Sequence, residues 1–225
     1  MVQSVIAKLI LITSWVLISV SILFTSVSVF ANNDTENSNV LPRAKITLRH
    51  QLAAISSLQS TFTQTVKDEA NNTIYNSSGN LVIQQPDRVY WQVLVPDETL
   101  LVADGNKVFY VDEFVEQVSI FNQSQMVADN PLMLLTSTDD EIWKQFTVLQ
   151  DDEVFIITPL IAKGQIQKLT LQFNQGQLAA FTLIDSQAQR SEFVLSNIKI
   201  NMPLPISQFQ YDIPSGYSID DQTQP

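Results

Sequence analysis

The stretch from Asn80 to Asp112, NLVIQQPDRVYWQVLVPDETLLVADGNKVFYVD, decides the fold. It reads as short strands at Asn80–Gln84, Val89–Val95, Thr99–Ala103 and Lys107–Asp112, rich in β-branched and aromatic residues and cut by Pro86-Asp87, Pro96-Asp97 and Asp104-Gly105-Asn106. Upstream, Phe62-Thr63-Gln64-Thr65-Val66 alternates with period two, and downstream Gln117–Phe121 continues the series. A second set is expected at Phe146–Leu149, Val154–Thr158, Ile166–Phe173, Leu178–Asp185, Glu192–Leu195 and Phe209–Tyr211, with Asn174-Gln175-Gly176-Gln177 as a hairpin turn. That many strands at such spacing predict an antiparallel sheet.

Before the first strand, Leu41, Leu48, Leu52, Ile55 and Leu58 recur at helical spacing, opposite a polar face of Arg43, Lys45, Arg49, His50 and Gln51. Between the two strand sets, Asn130 and Pro131 suit the cap and first position of a short greasy helix carrying Leu132, Met133, Leu134 and Leu135. Thr138-Asp139-Asp140-Glu141 looks like a second cap, ahead of Ile142 and Trp143. The fold class expected is mainly β with helices: an incomplete antiparallel β-barrel, or half-barrel, covered by a helical lid.

The N-terminus is a targeting segment and is set apart from the fold. A lone Lys8 precedes the apolar run Leu9–Phe24, and Val29-Phe30-Ala31 places small residues where a signal peptidase cuts, so cleavage is expected after Ala31 and export to the periplasm follows. A permanent membrane anchor is the rival reading, since Val5–Phe30 is long enough to span. The remainder, residues 32–225, is expected to form a single domain and a monomer. With no Cys anywhere, neither a disulfide framework nor an acylated N-terminal cysteine is available. The chain holds 12 basic and 23 acidic residues, a net charge of −11, which repels phosphate backbones and excludes nucleic acid as a natural partner.

Several chemistries lack their residues. The only His, His50, sits on the polar helix face with no Gly-x-Ser-x-Gly elbow elsewhere, which leaves no nucleophile and base pair. Zinc would need His and Cys clusters, and the acidic runs at Asp139-Asp140-Glu141, Asp151-Asp152-Glu153 and Asp220-Asp221 lack the spacing of a calcium loop. They read as a helix cap, a hairpin tip and a tail. Five Gly residues in all supply no phosphate-cradling loop, so no metal and no cofactor are expected. A pair of catalytic carboxylates comes together only in three dimensions and stays open, but nothing singles one out, and the chain is expected not to be an enzyme.

What remains is an excess of bulky apolar side chains. Leu81, Ile83, Val89, Trp91, Leu100, Val102, Phe109, Val118, Ile120, Phe155, Ile157, Leu171, Phe173, Phe181 and Leu183 are expected to line one face of the sheet, with Leu52 and Ile55 of the helix above them. An ordinary core would use such residues, and an acyl-chain cavity would use the same ones.

Phe62-x-Gln64, Gly79-x-Leu81, Pro86 with Trp91 five residues on, Pro96-Asp97-Glu98, Asp104-Gly105 and Phe114-Val115-Glu116-Gln117 resemble, in order and spacing, the LolA family of outer-membrane lipoprotein carriers. The likeness runs on through Asn130–Leu135, Leu160, Asp185, Gln189-Arg190 and the segment from Phe209 to Gln222. It implies a half-barrel whose apolar cavity holds the acyl chains of lipoproteins, with Pro131–Leu135 as lid. It also implies loading by an inner-membrane LolCDE-type ABC transporter and delivery to an outer-membrane LolB-type receptor. In one place the chain departs from the pattern. The residue before the Pro matching Pro86 is typically an Arg whose hydrogen bonds to the lid hold the empty pocket shut, and here it is Gln85. Gln lacks the charge and fork of Arg, so a looser lid, or a latch made by other residues, is expected. A lipid- or lipoprotein-sensing module of the same fold that does not transfer cargo is the second reading.

Overall fold

The computed structural model describes residues 40–124, 131–161 and 164–223. The N-terminal apolar segment and the capping Asn130 lie outside them, and among the described residues no helix is long and apolar enough to cross a membrane.

Helix α1 spans Val40–Ala53. It ends earlier than the apolar spacing suggests: Leu58, expected as its last core position, belongs to a strand, because Ser57 already pairs with Gln84. The strands are β1 (Ser57–Lys67), β2 (Thr73–Gln84), β3 (Arg88–Val95), β4 (Thr99–Ala103), β5 (Lys107–Asp112) and β6 (Gln117–Asn122). After the 3-10 helix Pro131–Leu135 and the single turn α2 (Asp140–Trp143) come β7 (Phe146–Asp151), β8 (Val154–Pro159), β9 (Ile166–Asn174), β10 (Gln177–Asp185), β11 (Arg190–Ile200) and β12 (Ser218–Asp221). Asp139 caps α2 as expected, its carboxylate accepting from the Glu141 N–H. The β7–β8 tip falls at Asp151–Val154, and Gln175 and Gly176, both at positive φ, turn β9 into β10.

All twelve strands form one open sheet in the order β12-β6-β5-β4-β3-β2-β1-β11-β10-β9-β8-β7. Two meanders, β1–β6 and β7–β11, therefore meet at the antiparallel β1–β11 pair. The sheet is strongly curled. Trp91 of β3 and Phe181 of β10 are four strand steps apart, about 19 Å along a flat sheet, yet their ring centroids lie 5.9 Å apart. One apolar cluster fills the inner face, drawing on every strand from β1 to β11. Helix α1 packs on β7, and the 3-10 helix on β8 and β9.

The C-terminus differs from expectation. Phe209–Tyr211 is not a strand: Ile206–Phe209 forms a 3-10 helix and the chain then runs irregularly to β12, which pairs in parallel with β6. The Asp220-Asp221 pair, expected as a free tail, is the end of that edge strand.

Candidate functional site

The inner face carries the site. Rows of residues facing each other across neighbouring strands share a face, so the register from Leu81 through Trp91 and Leu101 to Tyr110 defines the inner side. At its base four aromatic rings interlock. Phe181 stacks on Phe193 at 4.5 Å, Trp91 meets Phe193 edge-on at 5.2 Å, and Phe62 lies 5.3 Å from Trp91. The indole N–H of Trp91 is buried there without a hydrogen-bond partner among the described residues.

Of the residues expected to line a cavity, Leu52, Ile55, Leu81, Ile83, Trp91, Phe155, Ile157, Leu171, Phe173, Phe181 and Leu183 all enter this inner cluster, and Val89 packs against it half-buried. The other five are on the wrong side. Leu100, Val102, Phe109, Val118 and Ile120 lie in the rows Tyr90–Val102–Phe109–Ile120 and Gln92–Leu100–Val111–Val118, which face outward. There Tyr211, Ile213 and Tyr217 of the C-terminal segment cover most of them. The strands β4 to β6 are apolar at both parities because both faces are covered, the condition under which alternation stops reporting direction. The inward positions there are Leu101, Ala103, Val108, Tyr110 and Phe121. Phe62 and Phe193 were also missed as lining residues, although each sits at an alternating position of its strand.

The segment expected as a lid forms the 3-10 helix Pro131–Leu135. Leu134 and Leu135 are buried in the inner cluster and Met133 is half-buried. Trp143 of α2 is buried beside them, its indole N–H donating to the Ser137 carbonyl at 3.1 Å.

Gln85 makes a different bond from the one the resemblance implies. Its Nε2 donates to the Leu52 carbonyl at 2.9 Å, sharing that C-terminal carbonyl of α1 with the Ile55 N–H, also at 2.9 Å, and tying helix to sheet. The described contacts between α1 and the segment after the lid come from the helix itself. Arg49 pairs with Asp140 at 2.5 Å, donates to the Thr138 carbonyl at 3.5 Å and lies 5.7 Å from the centre of the Trp143 ring. The Lys45 ammonium donates to the Trp143 carbonyl at 2.9 Å. Burial, with the charge of Arg49 close by, lowers the Lys45 pKa from its ordinary value.

A cleft of about 260 Å³ opens between these groups, lined by Arg49, Leu52, Ala53, Gln85, Ser137, Thr138 and Trp143. Leu52 and Trp143 are members of the inner cluster, so the cleft is its rim. At the same rim, the Asp87 N–H reaches the Thr136 carbonyl at 3.5 Å. Burial and the nearby Asp139 carboxylate lift the Asp87 pKa above its ordinary value, with Arg88 acting the other way.

That shift has a sign. A carboxyl whose folded pKa is raised stabilises the fold below its unfolded pKa and loses that contribution as pH climbs through the folded value. At neutral pH the ionised Asp87 therefore works against the fold. Asp87→Asn is expected to raise stability at pH 7 by under about 1 kcal/mol, with the gain vanishing below pH 4. Urea unfolding of both proteins at pH 3.5 and 7 checks it, and an equal difference at the two pH values would refute the assignment.

His50 is exposed on the polar side of α1, and among the described residues no group of His, Asp and Glu is arranged to hold a metal.

A family model described as outer membrane lipoprotein carrier protein LolA matches residues 53–212. The outer-membrane lipoprotein carrier protein of Pseudoalteromonas translucida is 36% identical over 179 residues, 78% of this chain and 86% of its own. That of Idiomarina loihiensis is 32% identical over 202 residues, covering 90% and 96%. Among solved structures, a LolA superfamily protein from Nitrosomonas europaea superposes with a TM-score of 0.47 at 11% identity, covering 75% of this chain and 98% of that one.

Proposed function

Because this chain belongs to the LolA family of outer membrane lipoprotein carriers, we propose that residues 32–225 act as one periplasmic carrier domain, which binds the acyl chains of lipoproteins against the inner face of its sheet. In this reading the chain takes them from an inner-membrane LolCDE-type ABC transporter and yields them to an outer-membrane LolB-type receptor, working as a monomer without a cofactor and without catalysing a reaction. The observation that carries the reading is the inner face itself: a curled, aromatic-floored apolar surface roofed by one helix and a short lid, with a cleft at the rim.

The physics of the task fits. Burying a saturated chain contributes about 0.8 kcal/mol per CH₂, so a chain of about 15 methylenes is worth roughly 12 kcal/mol, and two or more anchor a protein stably to a bilayer. Carriage through water needs an apolar surface of comparable extent. A rim cleft of about 260 Å³ is smaller than pockets that enclose even a drug-sized ligand, so loading requires α1 and the lid to lift from the sheet. The apolar residues Leu48, Leu52, Leu134 and Leu135 seat the roof on the inner cluster, and its ion pair adds little: Arg49–Asp140 is part-exposed, and such pairs contribute only about 0.2–1 kcal/mol. Acyl chains that bind the opened state better than the closed one shift the balance toward it.

The test is to incubate the purified protein, lacking residues 1–31, with spheroplasts making a lipoprotein sorted to the outer membrane. Appearance of the acylated lipoprotein in the soluble fraction, one per carrier, is the expected result. A folded protein that binds an apolar dye yet releases no lipoprotein would overturn transfer and leave the sensing module as the better reading.

A further inference from the structure

The hairpin tip between β5 and β6 holds the most exposed large apolar side chain on the described surface. Phe114 is 91% exposed and the adjoining Val115 is 55% exposed. Single exposed apolar residues are common and mean nothing by themselves. Three features set this one apart.

The tip is fixed rather than floppy. The Phe114 and Val115 N–H groups both donate to the Asp112 carboxylate, at 3.2 and 3.3 Å, and Glu116 is held at φ 51°. The C-terminal segment braces it from the side: Ser218 N–H donates to the Glu116 carbonyl at 2.8 Å and the Tyr217 hydroxyl donates to Glu113. Next to that brace, Ile219 of β12 adds a further exposed apolar side chain, 56% exposed and paired with Val118.

The tip itself is acidic. Asp112, Glu113 and Glu116 flank Phe114 and Val115 with no Lys or Arg among them, while Lys107 stands at the other end of β5, within electrostatic reach of Asp221. Anionic lipid surfaces are disfavoured by such a rim, and a basic one is attracted.

The position is also distinctive. In the β1–β6 meander, Gln85–Asp87 and Asp104–Asn106 turn at the same end as Gln123, whose side chain donates to the Asp87 carbonyl at 2.6 Å, and this is the lid end. The Phe114 tip is at the opposite end of the strands. Something bound there leaves the lid free to move.

We infer that Phe114, with Val115 and Ile219, is an anchor for protein docking, and that it inserts into an apolar pocket rimmed by Lys or Arg on a membrane-bound protein that exchanges cargo with the carrier. A rigid aromatic presented at low ordering cost, surrounded by charge that steers encounter, is the usual make-up of a binding hot spot. The inference rests on the carrier reading for the identity of the partner.

The experiment measures equilibrium binding of the purified protein to the reconstituted inner-membrane transporter in nanodiscs and to the soluble receptor domain, over a series of salt concentrations. Phe114→Ala is expected to raise Kd roughly tenfold or more for at least one of them, and Glu116→Lys to weaken the same complex and flatten its salt dependence. Melting temperature and apolar-dye binding should stay unchanged in both variants, since neither side chain packs inside. Wild-type Kd values in both variants overturn the inference while leaving the carrier reading intact. So does Phe114-dependent binding to vesicles of mixed neutral and anionic lipid, which would make the tip a membrane contact. If the wild-type protein binds neither partner, the transfer cycle itself fails and this docking role falls with it.

Discussion

Gly79→Ala is expected to leave little folded protein, with a loss of more than about 4 kcal/mol in urea unfolding and poor soluble yield. A Cβ at this position would stand 1.8 Å from the Gln92 carbonyl oxygen and 2.9 Å from its carbon, with the Phe62 ring tip also at 2.9 Å. The ring could turn aside. The backbone carbonyl could not, because it lies in the β2–β3 ladder, where the register shifts between Ser78 and Gly79 and Gln92 pairs with Asn80. Relief would require those strands to part next to the aromatic floor. Adding Phe62→Leu to the alanine variant should rescue little, which separates the backbone clash from the ring contact. A variant melting within a few degrees of wild type would show that β2 and β3 do not approach this closely.

Phe193→Ala is expected to cost about 3–5 kcal/mol without abolishing the fold. Phe193 is fully buried and touches three rings, stacking on Phe181 at 4.5 Å with edge contacts to Trp91 and Phe62. Removing it leaves a void that its stiff neighbours cannot close, and an apolar void of that kind stays dry and takes up benzene. Saturating benzene should therefore raise the melting temperature of the variant by more than that of wild type. A loss below about 1 kcal/mol would mean that the inner face repacks as freely as a liquid, and the tight aromatic floor would have to be abandoned.

Much of this was legible in the residues, for identifiable reasons. Period-two runs broken by Pro-Asp and Asp-Gly placed β3 through β6 and the second half of β2, and Asn174-Gln175-Gly176-Gln177 placed the β9–β10 hairpin, because turn chemistry is local. The aromatic floor could be found in part: Trp91 and Phe181 follow from alternation, whereas Phe62 and Phe193 needed the β1–β11 pairing to bring them together across the chain. Direction failed where both sides of a strand are apolar. In β4 to β6 nothing local separates Leu100 from Leu101 or Phe109 from Tyr110, and the choice is made by Tyr211, Ile213 and Tyr217 arriving about a hundred residues later. The end of α1 was misplaced since Leu58 fits a helical stripe as well as it fits a strand. Gln85 stood out as a departure from the family pattern, but only geometry supplies its partner, the Leu52 carbonyl, and shows Arg49 and Lys45 meeting Thr138, Asp140 and Trp143 after the 3-10 helix.

The β1–β11 seam also sets a timetable. Each meander is made of hairpins that can close as soon as they are synthesised, yet the bond from the Thr61 hydroxyl to the Ser196 carbonyl spans 135 residues. Contacts of such sequence separation slow folding, with all-β proteins commonly needing milliseconds to seconds. Until β11 emerges, β1 presents a bare edge and the rings of Phe62 and Trp91 lack Phe181 and Phe193 to cover them. The hairpins can form earlier, but the inner face stays uncovered until β11, Arg190–Ile200, has been made. In the carrier reading, in which the chain crosses a membrane before it folds, that late closure is an advantage.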